Sequence, residues 1–221
     1  MERCKPVLTP LIHNKKISKF EEGDRADPAV YRSLIGSLLY LTATRYDLMF
    51  ATSLLSRFMH APSQVHLGVA KQTLRYIKGT VDYGIWFKKE EQGKSMGYSN
   101  SDWVGSVHDM KSTSGYAFTL GSCMFSLNSK KLEVVAQSSA EVKYIAAAGT
   151  TNQALWLRKI LCDLEQNDIE ATIIKVDNKL TISMAKSLVQ HGRSKHINVK
   201  FHAIMQAEKD GEVKLVHCNS D

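Results

Sequence analysis

No apolar run in these 221 residues approaches the roughly 20 consecutive positions of a membrane-spanning helix, so no membrane anchor is expected. The N-terminus, Met1-Glu2-Arg3-Cys4-Lys5-Pro6, lacks the apolar core of a signal peptide and the composition of a transit peptide. The expectation is an intracellular protein, cytoplasmic or nuclear, and not a secreted one. Cysteine is scarce: Cys4, Cys123, Cys162 and Cys218 stand far apart and no pair has metal-ligand spacing. Free thiols in a reducing compartment follow. No HxxxH pair or Cys/His cluster occurs, which argues against zinc. Internal repeats and low-complexity tracts are absent as well. Acidic residues are missing from one long stretch. Between Asp177 and Glu208 there is none, while Lys179, Lys186, Arg193, Lys195 and Lys200 fall there with His191, His196 and His202. A one-sided stretch of this kind repels itself unless a polyanion is near. Two readings stay open, a solvated basic face and a phosphate-tracking surface; the net charge of +7 is compatible with both.

What is present is the composition of a folded protein, with 43% hydrophobic residues and room for one large domain or two small ones. Residues 1–27 are polar, contain Pro6 and Pro10, and read as an extended lead-in. Asp27-Pro28 predicts a helix start, with Asp27 as N-cap and Pro28 at the first helical position. Leu34, Ile35, Leu38, Leu39 and Leu41 recur at helical spacing, and residues 47–59 and 63–77 repeat the pattern, the last closing at Gly79. Residues 28–82 are therefore expected to form a helical subdomain. From residue 83 the character changes. Short strands are predicted at 83–88, 96–101, 115–120, 124–128 and 132–136, with Gly121-Ser122 as a hairpin turn. Ser139 is placed as the cap of a long Ala-rich helix reaching about residue 164, with Tyr144, Ala147, Leu155 and Leu161 in its buried stripe. A β-branched strand at 171–176, helices at 178–187 and 196–209, and a last strand at 212–217 complete the series.

Three strings carry a resemblance: Gly97-Tyr98-Ser99-Asn100-Ser101-Asp102-Trp103, Ser139-Ala140-Glu141-Val142-Lys143-Tyr144-Ile145-Ala146, and Val176-Asp177-Asn178. In order and spacing they resemble the acidic centre of the ribonuclease H domain of copia-type retrotransposon Pol polyproteins. Lys111-Ser112-Thr113-Ser114-Gly115-Tyr116, Ala154-Leu155-Trp156-Leu157-Arg158 and Arg193-Ser194-Lys195-His196-Ile197 extend the likeness. Upstream, Tyr31-Arg32-Ser33-Leu34-Ile35-Gly36-Ser37-Leu38 and Leu74-Arg75-Tyr76-Ile77-Lys78-Gly79 are similar to the end of the reverse transcriptase region. The resemblance implies an α/β fold, a ribonuclease H-like mixed five-stranded sheet flanked by helices and preceded by a small helical subdomain. It implies three divisions: a lead-in at 1–27, a thumb- or connection-like subdomain at 28–82, and a ribonuclease H-like domain at 83–221 without its last helix. The polymerase's paired aspartates belong upstream of Met1 in that family, so polymerase activity is not expected.

The ancestral chemistry is two-metal cleavage of RNA in RNA–DNA hybrids, with Mg2+ held by converging carboxylates. The resemblance places Asn100, Lys143 and Asp177 where the family has Asp, Glu and Asp, and its fourth acid beyond Asp221. It also expects Pro at Tyr46, Trp at Leu127 and Asp at Asn198. Four carboxylates balance two dications; here Asp177 brings one negative charge, Asn100 none, and Lys143 a positive one. A unit pair 4 Å apart contributes about 4 kcal/mol at an effective dielectric of 20, so loss of metal and of activity is expected. Asp102 lies on the strand face of Asn100 but roughly 7 Å along it, and Glu141 lies about 200° around the helix from Lys143; neither is placed for rescue. Asp177 has a second reading as a helix N-cap. Lys143 is either solvated or paired with Asp177 where a metal once sat. Trp86, Trp103 and Trp156 read as packing residues rather than base-stacking platforms. Two functional readings accompany the silent Pol remnant: a non-catalytic nucleic-acid-binding module using the Lys179–Lys200 region, and a genomic relic without selected role.

Overall fold

The structure, a computed structural model, describes residues 4–12, 17–19, 23–88, 94–106, 109–165, 170–186 and 195–219, the side chains of 186–201 excepted. The chain divides into two compact units, Met1–Ile85 and Trp86–Asp221.

In the first unit, Pro28–Leu41 forms α1, a short 3-10 turn at Tyr46–Leu48 leads into α2 at Met49–Ser56, and α3 spans Gln64–Gly79. The Asp27 carboxylate accepts from the amides of Ala29 (2.7 Å) and Val30 (3.4 Å), and Pro28 loses nothing there because the first helical N–H has no partner in any helix. Tyr31, Ile35 and Leu38 of α1 meet Leu55, Phe58, Val69 and Ala70 in one core. Burial pushes the Tyr31 phenol well above the usual tyrosine range while its hydroxyl donates to the Leu55 carbonyl at 2.9 Å. The polar lead-in is strapped along α3. Arg75 donates to the Lys5 carbonyl (2.7 Å), Thr73 to that of Pro10 (3.0 Å) and Lys78 to that of Cys4 (3.0 Å). Gly79 is required where the strap passes, since a Cβ there would stand 2.9 Å from Cβ of Pro6.

The second unit has a sheet of β1 (Ser95–Ser101), β2 (Thr113–Leu120), β3 (Cys123–Lys131), β4 (Thr172–Val176) and β5 (Val213–His217), in the order β3-β2-β1-β4-β5. The first three are antiparallel neighbours; β1, β4 and β5 run parallel. Helix α4 spans Ser139–Asp163, α5 Lys179–Lys186 and α6 Lys195–Lys209. This is the mixed, ribonuclease H-like sheet that the motifs implied. Its core joins Phe118, Ile174, Val176, Val213 and Leu215 from the strands to Tyr144, Ala147, Ala154 and Leu157 of α4. Gly97 leaves the space that the Phe118 ring fills: a Cβ on it would come within 2.8 Å of that ring. Gly121, at φ +60°, turns the β2–β3 hairpin as expected.

Several local expectations are corrected. Residues 83–88 and 132–136 are not strands. Both have strand-like patterning, but a strand exists only with a partner. Leu132 makes one further backbone bond, to Ser112 (2.8 Å), before the chain leaves the sheet for α4. The cap of α4 is Ser138, whose hydroxyl accepts from the Glu141 amide (3.2 Å), not Ser139. Its buried stripe passes through Ala154 and Leu157, leaving Leu155 and Leu161 half-buried. Trp86, Trp103 and Trp156 are exposed at 86%, 58% and 55% and form no part of either core.

Candidate functional site

The family positions lie in the last residues of β1, just after β4 and in the first turns of α4, but only Lys143 and Asp177 meet. Asn100 alternates with Ser99 and Ser101 and points to the sheet face opposite theirs. Parallel pairing sets Ser99 beside Val176; β4 ends there and Asp177 follows it, while Asn100 stays in the sheet opposite Gly115 of β2. Ser138 fixes the start of α4, and Glu141 completes the cap by accepting from the Gln137 amide at 2.7 Å. That start places Lys143 one turn into the helix. Its ammonium donates to Asp177 Oδ2, forming an ion pair in which the two side chains are 22% and 16% exposed. The pairing read from the sequence is thus present, and the solvated reading of Lys143 is excluded.

Electrostatics explain why the partners stay together. A cation near a helix N-terminus faces the positive end of the helix dipole. A carboxylate removed from most of its water needs a counter-charge. Each satisfies the other's requirement. Asp177 does not cap α5; the Asn178 side chain does, accepting from the amides of Leu180 (2.8 Å) and Thr181 (3.2 Å). Asp177 Oδ1, Ser99 Oγ and Ser101 Oγ are buried without a hydrogen-bond partner among the described residues. Sequence reading missed the two serines; the signal was their alternate placement in β1, facing α4 with Gly97.

The remaining candidates are committed elsewhere. Asn100 is exposed and turns its amide oxygen onto its own chain, accepting from the Ser101 amide at 2.7 Å. Asp102 accepts from the Thr113 amide while its own amide donates to the Thr113 carbonyl (3.0 Å), which ties the carboxylate into the end of the β1–β2 ladder. Burial, with the Glu208 charge added, pushes the Tyr144 phenol well above the usual tyrosine range, so it stays protonated near neutrality. Divalent ions of the expected kind need several convergent oxygen anions. The donor set here is one carboxylate already neutralised by an ammonium. It does not fit such an ion, and no other group of three or more His, Cys, Asp or Glu among the described residues could hold one.

Of the five basic residues predicted to follow phosphate, Lys179 is exposed at the start of α5. The side chains of Lys186, Lys195 and Lys200, and Arg193 altogether, lie outside the described residues.

No family model matches the chain. Among curated proteins, the retrovirus-related Pol polyprotein from transposon RE1 of Arabidopsis thaliana is 36% identical over 220 residues, 100% of this chain and 15% of that protein. The Pol polyprotein from transposon TNT 1-94 of Nicotiana tabacum is 32% identical over 228 residues, again 100% of this chain and 17% of that one. The chain therefore spans about one sixth of the length of these relatives. Among solved structures, a foamy viral protease-reverse transcriptase in complex with ds DNA superposes with a TM-score of 0.52 at 8% identity, covering 91% of this chain and 33% of that one.

Proposed function

Because the chain belongs to the Pol polyproteins of copia-type retrotransposons, we propose that its ribonuclease H-like domain is a silenced hydrolase that still holds nucleic acid. The observation carrying this reading is the Lys143–Asp177 ion pair. It supplies, from within the chain, the positive charge that the family takes from Mg2+, and it leaves no carboxylate free to bind the ion. The acid-free stretch from Lys179 to Lys200 supports retained binding. Phosphate contacts are spread over many side chains and survive the loss of a few acids, whereas hydrolysis does not.

The test is an RNA–DNA hybrid assay in Mg2+ and in Mn2+, paired with gel shifts at graded salt. No cleavage and salt-sensitive binding are expected. Cleavage that disappears on Asp177→Asn would overturn the silencing. Absence of both cleavage and binding would overturn the binding and leave a relic. The double variant Asn100→Asp, Lys143→Glu is expected to gain Mg2+ binding in calorimetry; no gain would detach the ion pair from the ancestral metal position.

A further inference from the structure

His66 is a fully buried titratable group in the first unit. It stands at the third position of α3, where a capping box ordinarily carries Glu or Gln. Its partners fix which ring nitrogen holds the proton. Nδ1 faces the Ser63 amide at 2.9 Å, and an amide can only donate, so Nδ1 is bare. Nε2 stands 2.8 Å from the Ser18 carbonyl, and a carbonyl can only accept, so Nε2 carries the hydrogen. The ring is therefore neutral. On one side it closes the first turn of α3, where the Ser63 hydroxyl accepts in return from the His66 amide at 3.3 Å. On the other it ties down Ser18 of the lead-in, and the Phe58 ring stacks on it at 4.1 Å.

A second proton does not fit this arrangement. An imidazolium would turn Nδ1 into a donor aimed at the Ser63 N–H, and would set a charge at the N-terminal, positive end of the α3 dipole. No counter-charge is at hand, since the first turn of α3 has no acid. The charged and titratable residues on the segments that meet the ring are Lys19 beside Ser18, Asp24 and Arg25 on the stretch bridged to Ser63, and Arg57 and His60 beside Phe58. None of these bonds to the ring, whose partners among the described residues are Ser18, Ser63 and Phe58. Asp24 meets α3 through its carbonyl, which accepts from the Gln64 amide at 2.9 Å. We propose that His66 is a proton-operated latch. The neutral ring holds the α3 cap and the lead-in together; uptake of one proton from solvent at Nδ1 opens the cap and frees the lead-in at Ser18. The closed form has no place for that proton and the open form does, so falling pH favours opening.

The test uses the full chain, with hydrogen exchange corrected for the intrinsic effect of pH and with nitrogen NMR of the histidine rings. At pH 7.5 the His66 ring is expected as the Nε2–H tautomer, with the first turn of α3 protected. Between pH 7 and pH 5, the range in which histidines titrate, protection there and at residues 17–19 should fall by up to about 10-fold per pH unit, the limit for one proton. The sheet of the second unit serves as the reference and should not follow. His66→Gln keeps an acceptor for the Ser63 amide and cannot take up a proton in this range, so its protection is expected to hold. An Nδ1–H tautomer overturns the proposal. So does a ring that gains its proton while the first turn stays protected, or a loss as steep in His66→Gln as in the unaltered chain. Should His66→Gln fail to fold, the unaltered chain decides alone: ring protonation and loss of protection must share one midpoint, and separate midpoints overturn the latch.

Discussion

The Lys143 ammonium is held by one carboxylate oxygen of Asp177 while the other oxygen of that group is buried without a partner among the described residues. Removing the cation strands the whole carboxylate in a partly dehydrated place. Lys143→Met is therefore expected to destabilise the second unit by about 1–3 kcal/mol. Asp177→Asn in the same background should recover part of that loss, and urea melts of the four-member cycle check it. The residue scale is also where sequence reading was strongest. The strings around Lys143 and Asp177 pointed to the ion pair because strand ends and helix starts bring such strings together in a known order. It failed for the three tryptophans, since size and apolarity do not say which way a side chain at a loop or on an outer helix face will point. Nor did it find His66. That ring is fully buried, stacks on Phe58 at 4.1 Å, accepts from the Ser63 amide (2.9 Å) and stands 2.8 Å from the Ser18 carbonyl.

Two elements carry predictions of their own. Ser138, not Ser139, caps α4. Ser138→Ala is expected to cost about 1 kcal/mol, and Ser139→Ala less than about 0.5 kcal/mol, in paired thermal melts. In the first unit, the 3-10 turn is locked to the end of α3. Arg45 grips Asp47 with two N–H groups (2.9 and 2.8 Å) and donates to the Thr80 carbonyl (2.9 Å), while the Tyr76 hydroxyl donates to Asp47 (2.8 Å). The hydrogen bond from Arg45, outweighing burial and helped by Tyr76, holds the Asp47 carboxyl below the usual carboxylate range. A folded pKa below the unfolded one means the stabilisation is complete above the ordinary value, about 4. It is lost as pH falls through the lowered folded value. Melts of the intact chain from pH 6 to pH 2 should show this loss for the first unit, with a shallower pH slope in Asp47→Asn. The helices were legible because apolar spacing and the Asp27, Pro28 and Gly79 signals agree. Residues 83–88 and 132–136 misled because alternation describes a strand's faces, whereas its existence depends on a neighbour that local sequence does not name.

For the whole molecule, charge decides more than shape. With +7 overall and five cations in the acid-free stretch, binding to an RNA–DNA hybrid should weaken with salt at a log–log slope near −4.5 if all five meet phosphate. Lys179→Ala should reduce that slope by about 0.9, read from gel shifts between 50 and 200 mM salt. The mixed five-stranded sheet and the family were readable from motif order alone. The order of the strands was not, because pairing is settled by packing over the whole unit. The Lys143–Asp177 pair also has a bearing on the chain's history. Lys143→Glu alone would set two carboxylates together before any ion is bound tightly enough to offset them. Asn100→Asp alone would add an acid at an exposed strand position while the ammonium still holds Asp177. Each single step back toward the ancestral residues loses stability or gains nothing, so the route is closed to one-at-a-time reversion. The pair acts as a ratchet: Lys143 gives Asp177 a counter-charge on which the fold then relies, so neither substitution alone leads back to the family's acids.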